Sequence, residues 1–241
     1  MAHFAVEQEQ AETAFDLLAT RRSLRRDAAV LDLGCGLGQY LKAAAQRVDT
    51  VVGIDLSVAQ LVLARKHLAE SGYAPLLLAA EAERLPLRSE TFTAATAADT
   101  IEHLDNPPSA LAEVKRVLAP GGGFFLSTPN RFSLTPEPHV GIWGLGYWPH
   151  GLAARYAQRK LGRSYEDIHL FGFQDLRRML RDCFGETAVV LLPDPGSAEV
   201  QSFSRGKRLL ARIYQQVRRV PGLRLPLYLV APYFQALCVK E

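Results

Sequence analysis

One stretch of the chain decides its fold: VLDLGCGLGQY, residues 30–40. A short apolar segment predicts a buried strand, which runs into the turn Gly34-Cys35-Gly36-Leu37-Gly38 before a helical segment over 37–47. Glycines let the backbone turn tightly and come close to a ligand. A second buried strand, TVVGID (50–55), ends in Asp55, from which a carboxylate can accept hydrogen bonds from ribose hydroxyls. The pattern predicts a site for a ribose-bearing cofactor, and its alternative is a structural turn followed by a helix-capping Asp.

Strands and helices alternate on both sides of this stretch. Strands alternating with helices of about 10–15 residues indicate βαβ units, a parallel sheet and right-handed connections. Two stretches interrupt the alternation: a lid insertion (about 129–172), rich in Pro, Gly, Trp and His, and a basic insertion (about 193–231). We predict one α/β domain over 1–241. Its predicted strands are 29–34, 50–55, 75–80, 92–99, 122–130, 187–192 and 233–241, and its predicted helices are 7–24, 37–47, 57–71, 107–118 and 173–183.

Composition excludes several classes of protein. The 241 residues are 48% hydrophobic and 22% charged, which suits a folded domain with a full core. No apolar run reaches the ~20 residues that span a bilayer, and the acidic N-terminus is not a secretory signal. Cys35, Cys183 and Cys238 lack CxxC spacing, so we expect neither a disulfide framework nor a metal site. The same observation favours a cytoplasmic location for the protein. A net charge of +3 is too small to indicate nucleic-acid binding.

The identity of the cofactor depends on Asp32. The turn reads GxGxG, whereas the dinucleotide fingerprint is GxGxxG, with a pyrophosphate at the helix N-terminus. A carboxylate two residues before the turn would repel a pyrophosphate, but it would suit the ammonium of a methionine moiety. This favours S-adenosylmethionine (SAM). An NAD-binding oxidoreductase and a non-catalytic SAM-binding module remain the alternatives.

Five stretches of the chain resemble the class I SAM-dependent methyltransferases, in particular the ubiquinone- and menaquinone-biosynthesis type. They occur in the order typical of that family and cover roughly 30–130. The resemblance implies a Rossmann-like sheet of order 3-2-1-4-5-7-6 with the last strand antiparallel. The stretches are VLDLGCGLGQY (30–40), VVGIDLS (51–57), AEAERLPLRSETF (80–92), ADTIEHLDNP (98–107) and EVKRVLAPGGGFFLSTPN (113–130).

The resemblance also implies which residues line the cofactor site. Glu81 stands where the family more often has Asp, and the added methylene changes its geometry. The alternatives are a solvated loop carboxylate at Glu81 and a strand-end cap at Asp99 or Thr100. The implied set is Asp32, Gly34, Cys35 and Gly36 at the methionine end, Asp55 at the ribose, Leu56, Glu81 and Ala82 at the adenine, and Asp99 and Thr100 beside the methionine portion.

The acceptor side of the reaction is less specified. Methyl transfer depends mainly on alignment, and a base is needed only where the acceptor must lose a proton. His103, just past the fourth strand, is the candidate catalytic base; its alternatives are packing against the cofactor and a structural role. We expect a small-molecule or lipid-like acceptor, with O-methylation favoured. The lid residues His139, Trp143, Trp148 and His150 are predicted to form its pocket, unless the lid only packs on itself.

The basic insertion has a local charge asymmetry. Residues 200–240 hold eight Lys or Arg and no acid. A helix is predicted over 205–220, with apolar residues on one face and basic residues on the opposite face. The apolar stretch 222–234 follows it and is predicted to be a loop. Such a segment can lie on an anionic membrane, here its inner face, or be a surface helix with a solvated cationic side. The predicted faces are Leu210, Ile213, Val217 and Val220 on one side and Arg205, Arg208, Arg212 and Arg219 on the other.

Overall fold

The computed structural model describes residues 2–162, 164–193, 205–220 and 224–241. Its strands form one seven-stranded sheet of order β3-β2-β1-β4-β5-β7-β6. The first five strands in the chain pair in parallel, whereas β7 runs antiparallel to both β5 and β6. This confirms the predicted sheet order. The strands are β1 (Ala29–Leu33), β2 (Thr50–Asp55), β3 (Leu76–Ala79), β4 (Phe92–Ala98), β5 (Leu118–Pro129), β6 (Val189–Leu191) and β7 (Tyr233–Val239).

Helices cover both faces of this sheet. On one face Phe15, Leu41 and Leu68 pack into a core with alternate strand residues. On the other face Leu111 and Leu180 pack into a second core. Because both faces are covered, most strand residues are apolar. The helices are α1 (Ala2–Ala19), α2 (Gln39–Ala45), α3 (Val58–Glu70), α4 (Pro107–Val117), α5 (His150–Leu161), α6 (Phe173–Phe184), α7 (Arg205–Val217) and α8 (Arg224–Val230), with short 3-10 turns at Ile101–His103, Leu145–Tyr147 and Gly185–Thr187.

The lid insertion follows β5 and carries α5. It has a small core of its own, which includes Val140, Ala157 and Tyr165. The His169 N–H donates to the carbonyl of Glu102, in the turn that follows β4, at 2.7 Å, and the Arg131 N–H donates to the Phe171 carbonyl at 3.0 Å, which joins the two ends of the lid. The lid therefore packs on itself and also reaches the end of β4.

The basic insertion differs from its predicted form in one respect: residues 224–230 are the helix α8 and not a loop, since Pro226 stands in the first turn, where a missing N–H breaks no helical hydrogen bond. The predicted basic helix is present as α7. Among its described side chains Ala211 is buried, whereas Arg212 and Ile213 are both exposed. The side chains of Arg205 and Leu210 lie outside the described residues. No helix among the described residues is long and apolar enough to cross a membrane.

Candidate active site

The glycine turn at the end of β1 is held against the end of β4. Gly34 has φ +68°, and a Cβ there would lie 2.3 Å from Thr100 Oγ1, so no larger residue fits. The Thr100 hydroxyl lies within hydrogen-bond reach of the carbonyls of Leu33 (3.1 Å) and Ala98 (2.9 Å). This contact fixes the distance between the two strand ends on which the site is built.

Asp55 organises the opposite side of the turn. Its carboxylate accepts the Gly36 N–H at 2.9 Å and the Ser57 N–H at 2.8 Å, and Ser57 in turn caps α3. Asp55 therefore stabilises the glycine turn and the start of α3, which is the structural role that the sequence left as the alternative to ribose binding. A carboxylate has about four acceptor positions, so these two bonds leave capacity for ribose hydroxyls.

A cavity of about 920 Å³ lies at the carboxyl ends of β1, β2 and β4. Ligands of such open sheets bind at this position. The structure also adds wall residues that the motifs did not single out, Glu7 and Gln10 from α1 and Gln39 and Tyr40 from α2. The predicted residues that line the cavity are Asp32, Gly34, Cys35, Gly36, Asp55, Leu56, Glu81, Ala82, Asp99, Thr100 and His103.

Two buried polar groups in this wall, on Asp32 and Gln39, have hydrogen-bonding or charge capacity that a polar ligand could satisfy. Asp32 is only 2% exposed, and Thr96 donates a hydrogen bond to it at 2.7 Å. Burial raises the pKa of Asp32 to about 7; the Thr96 hydrogen bond opposes this rise, and the charge of Asp55 adds to it. Gln39 Nε2 is buried without a hydrogen-bond partner among the described residues. An ammonium beside Asp32 and a carboxylate beside Gln39 would satisfy both groups, as the two ends of an amino acid do.

Two histidines and three carboxyl groups gather where β4 meets the lid. We call this set the junction cluster: Asp99, Glu102, His103, Glu137 and His139. His139 Nδ1 lies 2.5 Å from Glu137 Oε1, and His139 Nε2 lies 3.1 Å from His103 Nε2. Glu102 is fully buried; Thr128 donates to its Oε2 at 2.9 Å, and its Oε1 lies 4.0 Å from His139 Nε2.

The neighbours in the cluster move its pKa values apart. Burial raises the pKa of Glu102 to about 8, with a contribution from the charge of Asp99. Burial alone would lower the pKa of His139, but the hydrogen bond and charge of Glu137, with the charges of Glu102 and Asp99, raise it above its usual value. Partial burial and the charge on His139 lower the pKa of His103. His139 is therefore the more basic of the two imidazoles.

A smaller cavity of about 170 Å³ adjoins the first. The two share Gln10, Tyr40 and Asp99 in their walls. Asp99 has φ +47°, which is uncommon for a residue other than glycine. The smaller cavity also touches Pro138, next to His139, and Tyr233 on β7. The junction cluster thus stands where a large and a small compartment meet.

The predicted acceptor residues of the lid lie in different places. His139 belongs to the junction cluster. Trp143 is 65% exposed and donates its indole N–H to the Leu134 carbonyl at 3.1 Å. Trp148 packs beside Tyr156 with ring centroids 5.3 Å apart, and His150 Nε2 lies 3.0 Å from the Ile168 carbonyl. Of the residues that the structure describes, the walls of the two cavities include none of Trp143, Trp148 and His150, so their part in acceptor binding stays a prediction.

Comparisons with known proteins agree with this architecture. Residues 31–126 match the family described as "Methyltransferase domain". The chain is similar to the ubiquinone biosynthesis O-methyltransferase of Pseudomonas fluorescens (strain SBW25), with 35% identity over 146 residues, which cover 59% of this chain and 57% of that protein. The chain thus spans less than two thirds of that relative's length.

Solved structures extend the likeness to the whole fold. An S-adenosylmethionine-dependent methyltransferase from Mesorhizobium loti superposes with a TM-score of 0.61 at 18% identity, over 95% of this chain and 98% of that one. A geranyl diphosphate C-methyltransferase from Streptomyces coelicolor A3(2), solved with S-adenosyl-L-homocysteine, superposes with a TM-score of 0.63 at 18% identity, over 96% and 78%. The chain therefore has the fold of the class I methyltransferases, as the sequence predicted, and its residues 31–126 match a methyltransferase domain.

Proposed function

We propose that the protein is a SAM-dependent O-methyltransferase that acts on a hydroxyl group of a small-molecule or lipid-like acceptor. The observation that carries the proposal is the pair of adjoining cavities, with His103 in the wall of the larger one and His139 behind it at 3.1 Å. One compartment has the volume and polar groups for a nucleoside-amino-acid cofactor, and the other adjoins its methionine end. The relatives named as O-methyltransferases support the choice of oxygen.

The residues of the large cavity fit SAM. Asp32 would pair with the ammonium and Gln39 would donate to the carboxylate. Asp55 would accept the ribose hydroxyls, and the buried Ala82 would offer its backbone N–H to the adenine, with Glu81 nearby. The bound cofactor supplies a methyl group on a positively charged sulfur. The protein itself supplies alignment, which can contribute ~7–11 kcal/mol.

His103 is the proposed catalytic base. It lines the large cavity next to Asp99 and Thr100, at the end of β4. A hydroxyl acceptor must lose its proton, and a neutral imidazole can take it near neutral pH. The lowered pKa of His103 keeps its ring neutral and able to accept a proton.

Exposed apolar surface supports a lipid-like acceptor and attachment to a membrane face. Leu134 N–H donates to the Val230 carbonyl, and Trp143 donates to the Leu134 carbonyl, so the segments that carry the exposed side chains of Leu229, Leu134 and Trp143 are neighbours. Contiguous exposed apolar residues usually mark an interaction surface. Leu134 is followed by Thr135 and Pro136, which line the smaller cavity. We propose that this surface meets the inner membrane face, from which the acceptor enters.

The decisive experiment is methyl transfer from methyl-labelled SAM to cell-extract fractions, including lipids. We expect the label in a methyl ether, and Asp55→Ala should reduce the labelling at limiting SAM, because it weakens cofactor binding by ~1.5–3 kcal/mol, the value of hydrogen bonds to a charged group. Label on carbon or nitrogen would overturn the oxygen assignment. Tight binding of S-adenosylhomocysteine without transfer to any fraction would indicate a non-catalytic SAM-binding module.

A further inference from the structure

Three side chains of the junction cluster form an unbroken line of hydrogen bonds from the lid to the cavity wall. Glu137 Oε1 lies 2.5 Å from His139 Nδ1, and His139 Nε2 lies 3.1 Å from His103 Nε2. His103 lines the large cavity, whereas Glu137 is buried in the lid. The line therefore connects the proposed base with a buried carboxylate that is remote from the reacting atoms.

The far end of the line is held rigidly. Glu137 Oε2 accepts the Val140 N–H at 2.9 Å, its backbone N–H donates to the Ile142 carbonyl at 3.0 Å, and its carbonyl accepts the Gly141 N–H at 2.7 Å. Both carboxylate oxygens thus have partners, and one of them is His139. A carboxylate and an imidazole so oriented do not need to reorganise when charge appears on the ring.

The partners determine where the protons sit. An ionised Glu137 only accepts, so His139 Nδ1 carries the hydrogen that lies between them. In neutral His139 the other nitrogen, Nε2, must then accept from His103 Nε2–H. This leaves Nδ1 as the basic nitrogen of His103.

We propose that Glu137, His139 and His103 form a proton relay for the methyl transfer, with His103 as the catalytic residue and His139 and Glu137 as positioning residues behind it. The acceptor O–H proton goes to His103 Nδ1 while the His103 Nε2 proton passes to His139 Nε2. The acceptor oxygen forms its bond to the methyl carbon as the carbon–sulfur bond breaks and the sulfur keeps the electron pair. The proton ends on His139 as an imidazolium paired with Glu137. The relay rests on the proposed function.

The surroundings of His139 favour this direction of proton transfer. Glu102 Oε1, with no hydrogen-bond partner among the described residues, faces His139 Nε2 at 4.0 Å. Burial raises the pKa of Asp99 as it raises that of Glu102, and either carboxyl group favours a positive charge on His139 when it is ionised. Tyr165 is the other titratable group beside Glu137, and burial with that negative charge raises its pKa, so it stays neutral. The hydrogen bond and charge of Glu137 therefore stabilise a positive charge on His139 more than on His103, because Glu137 contacts His139 directly.

The first test follows the two imidazoles by NMR in protein labelled at histidine, with S-adenosylhomocysteine bound and no acceptor. His139 should titrate at a higher pH than His103. Glu137→Gln should move the His139 titration to lower pH, because it removes the partner that raises that pKa. The matched control is Glu70→Gln, which removes an exposed carboxylate on α3 and should move neither signal. A His139 titration that does not shift in Glu137→Gln would overturn the relay.

The second test is the pH profile of kcat with an alkyl-chain phenol as acceptor. Activity should fall as the pH drops through the pKa of His139, since a protonated His139 cannot accept. Glu137→Gln should shift this acid limb to lower pH and lower the plateau about tenfold, and His139→Gln should lower it about 100-fold, within the range for general acid–base catalysis. A purely structural role would lower kcat without moving the limb, and that result would contradict the proposal.

Two further outcomes separate the alternatives. Glu102, His103 and His139 each offer a ligand atom within 4.8 Å of one another, so a divalent cation is the rival explanation. Activity that a chelator removes and Mg²⁺ or Zn²⁺ restores, only while His139 is present, would replace the relay by a cation. If Glu137→Gln is active and its pH profile of kcat is unshifted, the relay is overturned but the proposed function stands. Absence of transfer to any hydroxyl acceptor would overturn the proposed function as well.

Discussion

A negative charge on Asp32 is poorly stabilised in the folded protein without its cofactor. Among the described residues its side-chain hydrogen bond comes from Thr96, and burial raises its pKa from 3.8 to about 7. The protonated form is therefore preferred in the folded state. Asp32 therefore contributes to the free energy of unfolding as a function of pH. The favourable contribution of its protonated form is fully present below the pKa of Asp32 in the unfolded chain, and it is lost as the pH rises through about 7. An ammonium bound beside Asp32 would stabilise the ionised carboxylate and would lower its pKa again.

Asp32→Asn is thus expected to stabilise the cofactor-free protein and to impair SAM binding. Asparagine keeps the acceptor for Thr96 but carries no charge, so the free energy of unfolding at about pH 8 should rise by ~1–3 kcal/mol, the penalty for a poorly satisfied buried group. Near pH 4 the difference should vanish. SAM affinity should fall about 10- to 100-fold, while adenosine affinity stays nearly unchanged. Denaturant unfolding and calorimetry measure these quantities.

The exposed Asp49→Asn, at the start of the turn into β2, is the matched control and should alter neither stability nor binding. Equal losses of SAM and adenosine affinity in Asp32→Asn would mean that Asp32 supports the glycine turn and does not contact the methionine ammonium.

At the scale of elements, the lid has two separate parts. Its first turn delivers Glu137 and His139 to the junction cluster. Its later part exposes Trp143 and Trp148. Apolar rings at the surface cost little in a monomer but gain energy when a ligand covers them. Under the proposed function we expect the first part to serve the chemistry and the second to contact an apolar acceptor tail.

Trp143→Ala should raise the KM for an alkyl-chain phenol roughly 10- to 100-fold, because burial of a large apolar side chain is worth ~1.5–3 kcal/mol. The affinity for S-adenosylhomocysteine should stay the same, since Trp143 is not in the wall of the large cavity. Leu63→Ala, an exposed apolar residue on α3, serves as the control. Steady-state kinetics and calorimetry give both values, and an unchanged KM would limit the lid tryptophans to packing.

At the scale of the whole molecule, cationic and apolar side chains share one surface. On α7 the exposed Arg208 and Arg212 alternate with the exposed Leu209 and Ile213. Arg224 donates to the Arg218 carbonyl at 3.0 Å, which joins the start of α8 to the end of α7. This mixed pattern suits the headgroup region of a bilayer, where charges meet phosphates and apolar groups enter the boundary.

The protein should sediment with anionic vesicles at low salt, and high salt should release it, because each basic residue near the surface contributes about 1 kcal/mol within a Debye length. Neutral vesicles should not bind it. Arg208→Glu/Arg212→Glu should abolish co-sedimentation, whereas the control Arg65→Glu/Lys66→Glu, exposed on α3, should not. Lack of binding to anionic vesicles at low salt would leave α7 as a solvated surface helix and favour a soluble acceptor.

The sequence by itself determined the sheet and the cofactor end of the site. VLDLGCGLGQY at 30–40 and the strand ending at Asp55 carry local signals, glycine geometry and strand burial, that do not depend on distant residues. Asp32, Gly34, Cys35, Gly36 and Asp55 line one cavity for this reason. The family resemblance, and not a local signal, implied the other residues of the same wall, which are Leu56, Glu81, Ala82, Asp99 and Thr100. Periodicity also located α3, capped by Ser57.

Only the tertiary structure decided the junction cluster and the surface of the basic insertion. His103 and His139 are 36 residues apart and meet because the lid folds back over β4, a contact that no spacing in the chain encodes. Likewise, the pattern of residues on α7 did not show which side chain packs inward: Ala211 is buried, whereas Arg212 and Ile213 are both exposed. Local patterns specify elements, whereas the packing of distant elements specifies which side chains meet.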